Sequence, residues 1–223
     1  RAGATIIGCR EFLIAYNINL NTKDVRLATD IAFELREAGR SKRIPHPNSK
    51  NLLDGEIVRH DDGKPEKVPG IFKDVKAIGW YVNDFNRAQI SINFNNYKNS
   101  SIHEVYDKAC VLAEKRGIRV TGSELVGLIP LDAILMAGKH YLRKQNRSVG
   151  VPLAEIIECA VQSLGLNDVT PFRKNEKIID FAVKTKDEYL PDNTFLEELS
   201  SNSPAPGGGS ASALSGSLGA ALS

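Results

Sequence analysis

The strictest alternation in the chain lies near its start. Phe12, Ile14, Tyr16, Ile18 and Leu20 share one side of an extended segment, with Leu13, Ala15, Asn17 and Asn19 on the other. A period of two with one apolar side predicts a strand. The period then lengthens, and Val25, Ala28, Ile31, Ala32 and Leu35 form a helical stripe, with Thr22 as N-cap and Gly39 as stop. From Arg40 to about Lys73 no period survives. This stretch carries Pro45, Pro47, Pro65 and Pro69 and reads as a long surface loop, in which His46 and His60 are solvated.

Two further alternating runs, Lys76 to Val82 and Ala88 to Asn95, flank Asn83-Asp84-Phe85-Asn86, which is hairpin chemistry. Ser101-Ile102-His103-Glu104 is a capping box. It opens a helix to about Arg116 with Val105, Ala109, Leu112 and Ala113 as its stripe; His103 falls in the exposed first turn and reads as a surface residue. Val120 to Ile129 is a fourth strand, broken by Gly122 and Gly127. Pro130 and Pro152 open helices from Leu131 to about Lys144 and from Leu153 to Leu164. His140, on the first of these, has no His, Cys or carboxylate at ligand spacing and reads as structural.

The order strand, helix, strand, strand, helix, strand predicts an α+β domain of the ferredoxin-like, split βαβ kind (βαββαβ) with extra C-terminal helices. In that arrangement the first and third strands are neighbours in mid-sheet, helices cover one face, and the other face is open. Asn17 and Asn19 then share the open face with Ser91, Asn93 and Asn95. Uncharged amides and hydroxyls offer both donors and acceptors, which suits a ligand or partner surface; a bare face would more often carry Lys, Glu or Thr. The competing reading is that these Asn residues only end strands and cap loops. Arg10 and Arg87 stand just before the two strands, where either could pair with a carboxylate, although a lone arginine at a strand end is usually only solvated.

Composition narrows the field. The chain has 223 residues, 42% hydrophobic and 25% charged, enough for a core, and a formal charge of +2 that argues against nucleic acid or membrane as main partner. Cys9, Cys110 and Cys159 are odd in number and widely spaced, so neither a disulfide framework nor a zinc site is expected, and a reducing cytoplasm is. The chain opens on Arg1 and both ends look cut.

Several motifs then match one family in order. Gly3-Ala4-Thr5, Gly8 to Leu20, Ile78-Gly79-Trp80-Tyr81, Ala88-Gln89-Ile90-Ser91, Gly122 to Leu131, Leu164-Gly165-Leu166 and Pro171-Phe172 resemble the second half of the glutamate formimidoyltransferase domain. The resemblance runs from about Gly3 to Val183. The chain end, with Gly207, Gly208, Gly209 and Ser210 before interleaved Ala and Leu, resembles the start of the cyclodeaminase domain fused behind that transferase. It is expected to form a packed helix rather than a linker. The domains expected are 1–183, a tether over 184–206, and the truncated cyclodeaminase start at 207–223.

The resemblance implies transfer of a formimino group from N-formimino-L-glutamate to tetrahydrofolate in histidine degradation, by two similar halves facing across a cleft. The family's catalytic histidine lies in the first half, so no catalytic residue and no metal site is expected here, and this half alone should be inactive. Its expected folate and substrate contacts are Gly3, Thr5, Arg10, Asn17, Asn19, Ser91, Asn93, Asn95 and Glu124. Expected partners are the two substrates, the N-terminal half and further copies of the chain, without nucleic acid or membrane. An RNA-recognition module needs aromatic residues on the open face of the third strand, whereas Phe94 belongs to the buried side. A non-catalytic dimerisation module remains the alternative.

Overall fold

The computed structural model describes residues 3–5, 7–49, 51–183 and 194–221. Strand β1, Ile14–Leu20, buries Ile14, Tyr16, Ile18 and Leu20 almost completely. Phe12 lies outside the strand and is exposed, because pairing begins only at Ile14. Helix α1, Val25–Leu35, is capped by Asp24, whose carboxylate accepts from the Arg26 amide, and not by Thr22, whose hydroxyl accepts from the Asp24 amide. The helix buries Ala28, Ile31, Ala32 and Leu35 as the stripe predicts and ends before Gly39.

The expected loop from 40 to 73 is built instead from two small ribbons. Strands β2, Arg40–Ser41, and β5, Lys67–Val68, pair antiparallel; between them β3, Arg43–Ile44, pairs with β4, Glu56–Ile57. Two-residue strands leave no readable period, which hid them. His46 and His60 are exposed. The ribbon base is tied to α1: Arg40 pairs with buried Asp30 and with Glu34, and Arg116 reaches the same two carboxylates.

Strands β6, Val75–Val82, and β7, Arg87–Phe94, form the expected hairpin. Helix α2, Ile102–Glu114, opens on the Ser101/Glu104 capping box and stops short of Arg116. His103 is buried, 8% exposed, rather than on the surface, because α3 packs over the first turn of α2. Strand β8, Val120–Val126, ends earlier than expected; Gly127 turns out of it at φ +84°. Helices α3, Leu131–Lys144, and α4, Leu153–Leu164, have the expected bounds, and short helices α5, Lys174–Lys177, and α6, Ile179–Ala182, follow.

The four long strands form one antiparallel sheet in the order β6-β7-β1-β8. Helices α1 and α2 pack on the face made by Ile14, Tyr16, Ile18, Val75, Ala77, Ile90, Ile92 and Phe94. The stretch 184–193 of the expected tether lies outside the described residues. Thr194–Leu199, inside the expected tether, forms helix α7; Gly208–Ala221 forms helix α8, a helix as expected but exposed along nearly all its length rather than packed. Among the described residues no helix is long and apolar enough to cross a membrane.

Candidate functional site

The registers align the second sheet face into three rows. Trp80, Gln89, Asn19 and Gly122 make one; Ile78, Ser91, Asn17 and Glu124 the next; Lys76, Asn93, Ala15 and Val126 the third. Alternation alone generates this face, because every apolar partner of these residues points to the helices. Its centre is neutral and polar. Its β6 margin is apolar in the first two rows, with Ile78 and Trp80 about half exposed, and ends on exposed Lys76 in the third.

The first row is not open. Asn19 and Gln89 are wholly buried, because the turn after α4 folds over the edge of β8 and lays Asp168 on them. The Asn19 amide donates to Asp168 Oδ2 at 2.8 Å, and the Gln89 amide donates to Asn19 Oδ1 at 2.6 Å. Arg87 Nη1 at 2.9 Å and the Thr121 hydroxyl at 3.0 Å donate to the same Asp168 oxygen. Two glycines permit this cover. A Cβ on Gly122 would stand 2.5 Å from Asp168 Cβ and 2.8 Å from the Gly165 carbonyl oxygen, and Gly165 itself turns at φ +62°. The turn is held by the Ser123 amide on Gly165 O at 2.9 Å and the Ser123 hydroxyl on Leu164 O at 2.7 Å.

One atom of the row stays unanswered. Gln89 Oε1 is buried and accepts no hydrogen bond. An unpaired buried acceptor carries a desolvation cost of about 1–3 kcal/mol. In the second row the Asn17 amide, itself 5% exposed, donates to Glu124 Oε2 at 3.4 Å, while Ser91 and Glu124 are half-buried. Asn93 in the third row is exposed.

The sheet therefore brings together Asn17, Asn19, Ser91, Asn93 and Glu124. Asn95 lies past the end of β7, where its amide donates to the Asp74 carbonyl oxygen, and it lines a separate surface cleft with Arg36, Lys76 and Ile78. Gly3, Thr5 and Arg10 are exposed and lie outside any strand or helix. Of the expected glycine loop only Gly207 precedes α8; Gly208, Gly209 and Ser210 form its first turn. The Arg87–Asp168 ion pair answers the expectation that Arg87 meets a carboxylate. Gln89 falls on the polar side of the β7 alternation but is absent from the expected face, and sequence reasoning missed Trp80, Thr121 and Asp168. The alternation of β6 carried the signal for Trp80; Asp168, 149 residues from Asn19, had none.

Among the described residues no group of three or more His, Cys, Asp or Glu converges as a metal site. Comparison with known proteins fixes the lineage. Residues 15–184 match the family described as "Formiminotransferase domain", and residues 192–223 that described as "Formiminotransferase-cyclodeaminase". The formimidoyltransferase-cyclodeaminase of Dictyostelium discoideum is 38% identical over 227 residues, and that of Sus scrofa 36% over 226; each alignment covers 99% of this chain and 37% of the relative. The glutamate formimidoyltransferase of Thermoplasma acidophilum is 32% identical over 160 residues, 72% of this chain and 43% of that protein. The chain thus spans just over a third of the two longer relatives. With most of its length inside the matched region and its sheet built on the motifs described above, the chain belongs to the formiminotransferase domain family.

Proposed function

We propose that this chain supplies the folate-binding wall of a glutamate formimidoyltransferase, which moves the formimino group of N-formimino-L-glutamate to tetrahydrofolate. The observation that carries the reading is the row Ile78, Ser91, Asn17, Glu124: neutral donors and acceptors between an apolar margin and a carboxylate, backed by the Gln89–Asn19–Asp168–Arg87 chain of hydrogen bonds. A pterin presents a flat ring edged by amide-like donors and acceptors. Trp80 and Ile78 offer that ring an apolar surface, Asn17, Ser91 and Asn93 can meet its edge, and Glu124 can accept from its exocyclic amine. Asn19 and Gln89, being covered, hold Asp168 and the turn in place rather than touch substrate.

Formimino transfer needs a base for the folate amine and donors for a tetrahedral, nitrogen-rich intermediate. The amide face supplies donors, and on this reading a facing N-terminal half supplies the proton transfers, so the isolated chain binds folate without turnover. The strand order and all-antiparallel pairing support a ferredoxin-like, split βαβ reading of the sheet. The first family match ends at 184, next to the proposed limit at about 183, whereas the second begins at 192 and so ahead of the proposed limit at 207; the three free cysteines suit the cytoplasm. The exposed Ile78 and Trp80 also suit an alternative in which the face packs dry against a second copy.

The test is a titration of the ¹⁵N-labelled chain with 5-formyl-tetrahydrofolate. The side-chain amide signals of Asn17 and Asn93 and the indole signal of Trp80 should move together and saturate. No movement of these signals at millimolar folate, or the same movement on simple concentration of the protein, overturns the reading.

A further inference from the structure

Outside the sheet face, the seam between α2 and α3 holds two imidazoles in contact. The rings of His103 on α2 and His140 on α3 stack with centroids 4.3 Å apart and planes at 30°. Tyr141 sets its ring edge against both. The hydrogen bonds around His103 fix which nitrogen carries the proton in its neutral ring. In the capping box the Ser101 hydroxyl accepts from the Glu104 backbone amide and donates to the Glu104 carboxylate at 2.7 Å. Its one proton is therefore spent. His103 Nε2, 3.1 Å from the same oxygen, must then be the donor. The remaining nitrogen, Nδ1, is a bare lone pair, buried and without a partner.

A second proton on His103 can enter only at that Nδ1, where the cation would face no acceptor and would lie against a neighbouring imidazole. His140 is placed differently. It is a third exposed and has Asp107 Oδ2 at 3.3 Å from its Nε2 to balance a charge. The charged and titratable groups that reach the pair are Glu104 and Asp107 from α2 and His140, Tyr141 and Lys144 from α3; Tyr141 and Lys144 both bond Asp107, at 3.0 and 2.7 Å. Asp107 is thus already committed to α3 and is not free to answer His103.

We propose that the His103–His140 stack is an acid-released clasp between α2 and α3, closed while His103 is neutral and opened when His103 takes up a proton. Burial, and after it the neighbouring His140, hold the His103 value down at about 4 against an ordinary 6.5, with Glu104 and Asp107 opposing. The sign follows. The opened seam binds the proton more readily than the closed one, so closure is complete above about pH 6.5 and is lost as pH falls towards 4.

The device is tested by amide hydrogen exchange on the whole chain between about pH 7 and 4.5, corrected for intrinsic rates, with the histidine rings followed by NMR. The first turn of α2 and the last turns of α3 should open about tenfold more readily per pH unit below 6.5, while β1 and β7 keep their protection. His103→Phe, which keeps a ring but cannot titrate, should abolish that dependence. Should this variant fail to fold, His140→Phe decides: the His103 ring should titrate well below its ordinary value in the native chain and higher in the variant. Opening that ignores pH, opening shared equally by the sheet, or a His103 ring that titrates at its ordinary value overturns the proposal.

Discussion

Two regions of the molecule bury polar groups, by opposite rules. At the base of the ribbons, Asp30 and Glu34 on α1 face Arg40 and Arg116, and each of the four takes part in more than one contact. On the sheet face Asn17, Asn19 and Gln89 are neutral, their links run through single hydrogen bonds, and Gln89 Oε1 has none. A buried charge must be answered on the spot, since desolvation costs several kcal/mol per ion. A neutral amide can be left partly unanswered at far lower cost. The first region is saturated and joins elements; the second keeps bonding capacity in hand.

The contrast predicts graded outcomes. The largest is at the charged cluster: Arg116→Leu strands Asp30 and Glu34 with one cation fewer and should lower unfolding free energy by about 3–5 kcal/mol in urea titrations. A loss below about 1 kcal/mol would erase the distinction. Ile18→Ala, a core cavity control, should cost about 2–5 kcal/mol without moving folate-sensitive signals. Gly122→Ala pushes a methyl into Asp168 and the Gly165 carbonyl; about 1–3 kcal/mol should be lost, and the Asn19 amide signal should shift as its partner moves. Gln89→Met removes the unpaired acceptor but also the donor to Asn19 Oδ1; one buried unpaired acceptor replaces another and a single hydrogen bond is lost, so stability should fall by about 0.5–1.5 kcal/mol. The smallest change in stability belongs to Asn17→Ala. Its melting temperature should hold while folate affinity falls about three- to tenfold, the worth of one hydrogen bond. If Asn17→Ala melts as badly as Ile18→Ala, the amide face is structural.

The sheet was legible because β1 and β7 alternate without exception and their neighbours are set off by turn residues. Asn17, Ser91 and Asn93 could be placed on one face from period alone, and register then followed. The cover over Asn19 was not legible: it depends on a turn at Gly165 that no pattern near β1 foretells. His103 misled for a related reason. A capping box marks a helix start, and such a start is usually wet, but α3 packs over this one. Residues 40–73 misled because ribbons two residues long have no measurable period.

The ribbons leave and rejoin the domain at nearly one point. Arg40 is pinned to Asp30, while the amides of Ile71 and Phe72 return to the carbonyl oxygens of Glu34 and Leu35. The excursion is therefore a closed detour whose two ends meet at the end of α1, and its length does not enter the wiring of the sheet. Closing such a detour costs only about 0.6 kcal/mol more for each doubling of its length. Sequence can be inserted or trimmed at its far tip, around Asp61 and Gly63, without re-threading a strand, which makes this the place where the domain can acquire or shed a new surface at little cost to its sheet.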